Sequence, residues 1–304
     1  MKYVHLSQYP SVFKSMTGLQ VSEYDGWLRS VLPAYRQAEQ GRLEHPDRQR
    51  GLGGGRDATL SESDQILLTV IWLRQYPVHE VLAYFFSVSP AAVSRYIRHV
   101  LPVLEQAGKD TMRLPDPGRK RRRQLDELLK AIPELVVVID SFEQKVQRPA
   151  DPTQRDALYS GKKKMHTLKS QVTVDEATGE IADVSDSVPG PESDLTLLKQ
   201  SAVLQHLPVG IGAIGDCGYQ GIHDLHELAF SPRKKPRGKD RPAQDVAYNT
   251  AFSRRRIVVE NTLNRVRRYQ ALSQADREHR RHHAARVRAV AGLVNQQIRS
   301  RLIA

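Results

Sequence analysis

The stretch Leu135-Val136-Val137-Val138-Ile139-Asp140 decides the fold. Five consecutive apolar residues, four of them β-branched, read as a strand buried on both faces, as at the centre of a mixed or parallel sheet. The run ends on a carboxylate, and open α/β sheets place their chemistry in the crevice beyond the carboxyl ends of the strands. Alone, Asp140 is either a capped strand end or a metal ligand. A second copy tips the balance: Val209-Gly210-Ile211-Gly212-Ala213-Ile214-Gly215-Asp216 reads as another short strand ending in Asp. Two strands that each deliver an Asp to one sheet edge point to a divalent-metal site.

Between these strands, His166 to Asp175 alternates at period two and reads as a strand. Glu176-Ala177-Thr178-Gly179 is a hairpin turn, Glu180 to Asp186 the return strand, and Pro189-Gly190-Pro191 closes it. Ser193 or Asp194 caps a helix through Leu195, Leu197, Leu198 and Leu204. Strand, two-stranded hairpin, helix, strand is the opening of a ribonuclease-H-like fold, in which the first and fourth strands are neighbours. That adjacency brings Asp140 and Asp216 to the same pair of metal ions. Asp194 competes for the second place, but its position at a helix start suits an N-cap or first-turn residue. Asp216 is preferred, with Gly215 and Gly218 leaving room for phosphate or metal.

A third carboxylate comes from the helix read over 250–268, where Glu260 is the only acid among many bases. It is either an ion-paired face residue or an acid on a helix laid across the sheet edge, between Val259 and Leu263. Ser273 to Ile303 reads as a further amphipathic helix carrying Val287, Val290, Leu293, Val294 and Ile298 on one side. His279, His282 and His283 read as part of its solvated face, in preference to a metal cluster.

Upstream, Tyr24, Trp27, Leu28, Val31, Leu32 and Tyr35 keep helical spacing, with Ser22 as N-cap, a kink or break expected at Pro33 and a stop near Gln40-Gly41. Gly51 to Gly55 reads as a joint. A buried helix from Ser61 stops near Pro77, and Val78 to Phe86 leads through a short turn into a helix from Ala91 to Val100, with Ser89 as cap and Pro90 at the first position. This is a helix-turn-helix layout. Small residues at the start of the second helix let it sit deep in a major groove, where Ser94, Arg95 and Arg98 reach bases and phosphates; the bland alternative is a helical hairpin with a solvated basic face. The run Arg119-Lys120-Arg121-Arg122-Arg123 opens a helix with Leu125, Leu128, Leu129 and Ile132, either a solvated face or a phosphate-tracking linker.

The composition agrees. A net charge of +12 and a pI of about 9.8 over 304 residues point to a polyanionic partner, most simply nucleic acid. No eighteen-residue apolar stretch occurs, the N-terminus lacks the apolar core of a secretory signal, and the single cysteine, Cys217, excludes an internal disulfide and a cysteine-rich zinc site. The expected compartment is the cytoplasm. The expected division is a helical segment (1–50), a helix-turn-helix domain (51–112), a basic linker helix (113–131) and a ribonuclease-H-like mixed-sheet catalytic domain with basic C-terminal helices (132–304).

These motifs together resemble the bacterial insertion-sequence transposases of the DDE superfamily, of the IS-five-like assemblage related to the eukaryotic Harbinger elements. The resemblance runs from about Arg50 to the C-terminus. It rests on Gly53-Gly54-Gly55-Arg56, Val138-Ile139-Asp140, Tyr159-Ser160-Gly161-Lys162-Lys163-Lys164 with His166-Thr167, Pro189-Gly190 with Asp194-Leu195, Gly215-Asp216-Cys217-Gly218-Tyr219-Gln220-Gly221, and Val259-Glu260. Cys217 departs from the pattern, as a small residue that the turn tolerates. The resemblance implies that Asp140, Asp216 and Glu260 bind two Mg²⁺ or Mn²⁺ ions, that the enzyme nicks double-stranded DNA at the terminal inverted repeats of its element, and that it joins the freed 3′-hydroxyl to target DNA. Lys162, Lys163, Lys164, Arg256 and Arg267 are then expected on the DNA backbone, with a homodimer or higher oligomer assembled on the DNA. Two rival readings stand beside it: a helix-turn-helix repressor or domesticated transposase that binds without cutting, and a ribonuclease-H-like endonuclease that cuts without joining.

Overall fold

The computed structural model describes residues 1–44, 58–119 and 126–303. The glycine joint at Gly51 to Gly55, Arg56 and the basic residues Lys120 to Arg123 lie outside them. In chain order the elements are α1 (Tyr3–Leu6), α2 (Pro10–Thr17), α3 (Val21–Leu43), α4 (Glu62–Gln75), α5 (His79–Phe86), α6 (Pro90–Thr111), β1 (Val136–Lys145), α7 (Pro152–Leu158), β2 (Tyr159–Ser160), β3 (Met165–Asp175), β4 (Ile181–Val184), β5 (Val188–Pro189), α8 (Asp194–Ser201), β6 (Gly212–Ile214), β7 (Ala229–Phe230), α9 (Ala243–Arg267), α10 (Gln270–Ser273) and α11 (His283–Ile303). Contacts divide them into two units: residues 1–110 with 268–274 and 285–304, and residues 111–267 with 275–284.

The first unit is helical and built around α4, whose residues from Asp64 to Leu73 are all buried. Ser61 caps α4 by accepting the Asp64 N–H, and Tyr76 ends it in the left-handed region at φ 49°. The N-terminal residues form three helices where one is expected. α3 runs through Pro33 and Gly41 to Leu43, and its cap is Gln20, boxed with Glu23, instead of Ser22. In the helix-turn-helix, α5 ends at Ser87 in the left-handed region, and Ser89 Oγ accepts the Ala92 N–H 3.2 Å away. α6 then continues through Pro102 to Thr111. Val93, Ile97, Val100, Leu101 and Leu104 are buried along one stripe, while Arg95 and Arg98 are exposed.

The expected catalytic domain gives up its C-terminal helix to this unit. α11 buries Val287, Val290, Leu293, Val294 and Ile298, as its pattern requires, but it crosses α6 at a pair of glycines. A Cβ on Gly108 would lie 2.1 Å from the Arg288 carbonyl oxygen, and one on Gly292 would lie 2.5 Å from Gly108 Cα. Two helices approach this closely only where neither carries a side chain.

The second unit is a mixed sheet with helices on both faces. β1 pairs antiparallel with β3 and parallel with β6, and β6 pairs parallel with β7. On its far side β3 takes β4 and β5. The order is that of a ribonuclease-H-like sheet: β1 and β6, the first and fourth of the strands read in the sequence, lie side by side as expected. The strand expected from Val209 is shorter, since Val209 is 96% exposed and pairing begins at Gly212. Val137 and Ile139 pack with Ala213, Leu198, Leu204 and Tyr219 under α8. Alternation turns Val136, Val138 and Asp140 to the opposite face, where α9 lies against β1 and β3.

Candidate active site

Asp140 is the fifth residue of a ten-residue strand whose first four residues are buried. Its side chain is 19% exposed. One carboxylate oxygen accepts the Ser141 N–H at 2.8 Å, and the other is 3.4 Å from an Arg256 guanidinium nitrogen on α9. Burial pushes its pKa up to about 6; Asp216 and Asp194 push the same way, against the Ser141 N–H and Arg256. Three carboxylates thus share one field.

The parallel register explains how Asp216 arrives there. Val136, Val137 and Val138 pair with Gly212, Ala213 and Ile214, so continuing both strands by two residues sets Asp140 beside Asp216. Asp216 closes a tight turn by accepting the Gly218 N–H at 2.8 Å. The glycines around it do not leave open space. A Cβ on Gly215 would strike the Tyr219 ring at 2.7 Å, and one on Gly218 would lie 2.4 Å from Asp194 Oδ2 and 3.0 Å from Asp216 Oδ1. Their room is taken by an aromatic floor and by two carboxylates.

Asp194 takes the first-turn place expected as one of two alternatives, and Ser193 takes the cap. Ser193 caps α8 by accepting the Thr196 N–H at 3.0 Å. Asp194, the first helical residue, faces the sheet: it accepts the Ser141 hydroxyl at 2.7 Å and lies 3.0 Å from the Lys169 ammonium. Lys169 is nearly buried on β3 and also donates to the Glu192 carbonyl. Tyr219 is fully buried beneath these groups, and its hydroxyl donates to Gln171 Oε1 at 3.3 Å. Burial and the three aspartates hold its pKa well above the usual range, so the phenol stays protonated.

Glu260 sits on α9 one turn beyond Arg256, hence on the same side of the helix, and is exposed. α9 starts seven residues before the expected helix and so contains a second acid, Asp245, paired with Arg233 at 2.8 Å. The helix is also less solvated than its charge suggests. Arg255 is buried against Glu176 at 2.6 Å and donates to the Pro133 and Glu134 carbonyls. Arg256, expected on DNA, is 13% exposed and turned to Asp140, and its Nε is buried without a hydrogen-bond partner.

The remaining cations lie at the surface. Lys162, Lys163 and Lys164 are exposed at the tip between β2 and β3, and Arg267 is exposed at the end of α9. Ser94 is half-buried beside the exposed Arg95 and Arg98. His283 is not a solvated residue: it is fully buried, with Nδ1 2.7 Å from Ser187 Oγ and Nε2 2.8 Å from Gln144 Oε1.

Carboxylate oxygens are the donors that hard divalent cations take. Burial first, and the neighbouring Asp216 and Asp194 carboxylates after it, disfavour a charged Asp140, and a cation at the paired carboxylates would offset both, so the residues fit such an ion. Among the described residues no group of three or more His, Cys, Asp or Glu side chains is placed so that it could hold a metal ion, and the pair on β1 and β6 is what the fold itself brings together. Mg²⁺ typically takes only one or two carboxylates, completing its shell with phosphate oxygens and water. Lys169, Ser141 and Tyr219 escape sequence reasoning. Lys169 is one of many lysines, and only the pairing of β3 with β1 marks it as the one turned inward.

Comparison with known proteins agrees with this arrangement. A family model described as DDE superfamily endonuclease matches residues 139–295, and one described as the helix-turn-helix of DDE superfamily endonuclease matches residues 58–110. The chain is 31% identical over 245 residues to a probable transposase for insertion sequence element IS702 from Microchaete diplosiphon, covering 80% of this chain and 83% of that protein. DDE superfamily enzymes use divalent metal ions, and a helix-turn-helix joined to an endonuclease implies DNA as the partner. With paired aspartates on adjacent parallel strands and a helix-turn-helix ahead of them, the chain belongs to the DDE superfamily endonucleases, as an insertion-sequence transposase.

Proposed function

We propose that this transposase binds the ends of its insertion sequence, hydrolyses the DNA there, and joins the freed 3′-hydroxyl to target DNA. The observation that carries the reading is the acid pair on neighbouring parallel strands, Asp140 and Asp216, with Asp140 raised to about 6 in the field of its neighbours. Asp140, Asp216 and Glu260 are the proposed ligands of two Mg²⁺ or Mn²⁺ ions. When bound, such ions activate the attacking oxygen and stabilise the leaving one in an in-line displacement.

The chain's own groups do the positioning. Asp194 is already compensated by the Lys169 ammonium and held by Ser141, so it acts as a strut that fixes the turn bearing Asp216. Tyr219 supplies the floor on which that turn rests. Arg256 faces Asp140 at 3.4 Å, where its guanidinium would also reach a phosphate bound at the acid pair. Ser94, Arg95 and Arg98 on α6 contact element DNA, while Lys162, Lys163, Lys164 and Arg267 track its backbone.

The test incubates the purified chain with Mg²⁺, a labelled fragment carrying an element end, and a plasmid acceptor. The expected product is label joined to the plasmid. Cut but unjoined DNA would favour an endonuclease, and bound but uncut DNA a repressor.

A further inference from the structure

The second unit has a cavity away from the carboxylates. About 440 Å³ in volume, it is lined by Arg148, Arg155, Asp156, Tyr159 and His166. The volume falls within the range of small-ligand sites. The site is open to solvent, and its lining combines two guanidinium groups, an aromatic pair and one carboxylate. The Tyr159 and His166 rings meet edge to face at 5.5 Å, held by the pairing of β2 with β3. Tyr159 is 45% exposed, although it is a large aromatic residue on a strand. Asp156 is 3.2 Å from Arg155, and the lysine-bearing tip at Lys162 to Lys164 continues directly from β2.

Each group has a counterpart in a nucleotide. An aromatic face stacks on a base, and guanidinium groups take its phosphate. The carboxylate accepts from an exocyclic amino group, which adenine, cytosine and guanine carry and thymine lacks. The position suits a DNA strand that also reaches the acid pair. Val146 donates its N–H to the His166 carbonyl, so this end of the sheet lies six residues along β1 from Asp140. At about 3.3 Å per residue that is roughly 20 Å, about six nucleotide steps.

We infer that this cavity holds one nucleotide unstacked from a DNA strand, with its base against Tyr159 and its phosphate on Arg148 and Arg155. The inference rests on the proposal that the chain acts on DNA. It predicts that single-stranded DNA beside a duplex binds better than the duplex alone, and that thymine is the poorest occupant.

The experiment measures binding of the full chain to a 30-base-pair duplex, blunt or carrying a six-nucleotide single-stranded adenine or thymine extension. The extension should tighten binding by about 5- to 100-fold, the range of one base–aromatic stack. Tyr159→Ala should remove that gain and leave the blunt duplex unchanged, Tyr159→Phe should keep it, and thymine should give the smaller gain. An extension that adds nothing, or a gain that survives Tyr159→Ala, overturns the inference while blunt-duplex binding leaves the DNA reading standing. Free deoxyadenosine monophosphate that binds as tightly as the extended DNA makes the cavity a mononucleotide site and overturns the assignment to a strand. A chain that binds no duplex at all overturns both.

Discussion

Asp140 carries a penalty in the metal-free protein. Its folded pKa of about 6 lies above the ordinary carboxylate value of 3.8, so the unfolded chain releases this proton first. The group's contribution is therefore full below about pH 4 and is lost as pH rises through 6. Asp140→Asn removes the penalty: without divalent ions at pH 8 it should raise unfolding stability by about 1–3 kcal/mol, and the gain should vanish below about pH 4. Denaturant titration across that range checks this, and a variant less stable than wild type at pH 8 would contradict it. The raised pKa is invisible in sequence. The run from Leu135 to Asp140 marks the strand and its acid, whereas the burial that chiefly raises the pKa, and the added push of Asp216 and Asp194, come from other elements packed around it. Asp194 shows the limit best: its place before Leu195 suits a cap, and only the sheet beneath it shows that it faces Ser141 and Lys169.

At the scale of elements, α9 has to lie against β1 for Glu260 to serve the site. Arg255 holds it there, inserted among Glu176 and the carbonyls of Pro133 and Glu134 with 7% of its side chain exposed. Arg255→Ala removes the guanidinium 2.6 Å from the buried Glu176 carboxylate and should cost about 3–5 kcal/mol, against at most about 1 kcal/mol for Arg36→Ala, whose partner Glu62 is exposed. Thermal or denaturant unfolding of the two variants compares them; equal, small effects would mean that α9 is held by its apolar residues alone. Of the long periodic elements β3 lies within one residue of its pattern, whereas β1 runs five residues past Asp140, α6 runs eleven residues past Val100 and α11 starts ten residues after Ser273. The two-residue strands β2, β5 and β7 exist through their partners and carry too few residues to show a period, while β6 keeps only Gly212–Ile214 of the strand read from Val209 to Asp216. α7 hides in a polar stretch, and the helix read from Ser273 begins only at His283, which is buried and bonded to Ser187 and Gln144, contacts that no periodicity encodes.

At the scale of the whole molecule, the net charge of +12 and the helix-turn-helix set the terms of DNA binding. Affinity should fall steeply with salt. Arg95→Ala or Arg98→Ala should lower affinity by roughly 1–3 kcal/mol with relaxed sequence preference if a base contact is lost, or reduce the salt slope by about one if a phosphate contact is lost. Binding isotherms at several salt concentrations separate the two, and no change in either would remove α6 from the DNA interface. The order of a DNA-reading helix pair ahead of a sheet was legible because each has its own pattern. The return of residues 285–304 to the helical unit was not, since it depends on two glycines, Gly108 and Gly292, that are 184 positions apart.

The central claim is that Asp140, Asp216 and Glu260 cut DNA, with Asp194 in support. Its most direct test is Mg²⁺-dependent cleavage of an element-end fragment by Asp140→Asn, Asp216→Asn, Glu260→Gln and Asp194→Asn, each first shown to bind the fragment. The first three should lose at least about 100-fold in rate with binding intact, the scale on which charge stabilisation of a transition state acts. Asp194→Asn should keep measurable cleavage at lowered thermal stability. Cleavage at the wild-type rate by any of the first three, or its loss in Asp194→Asn alone, would contradict the assignment.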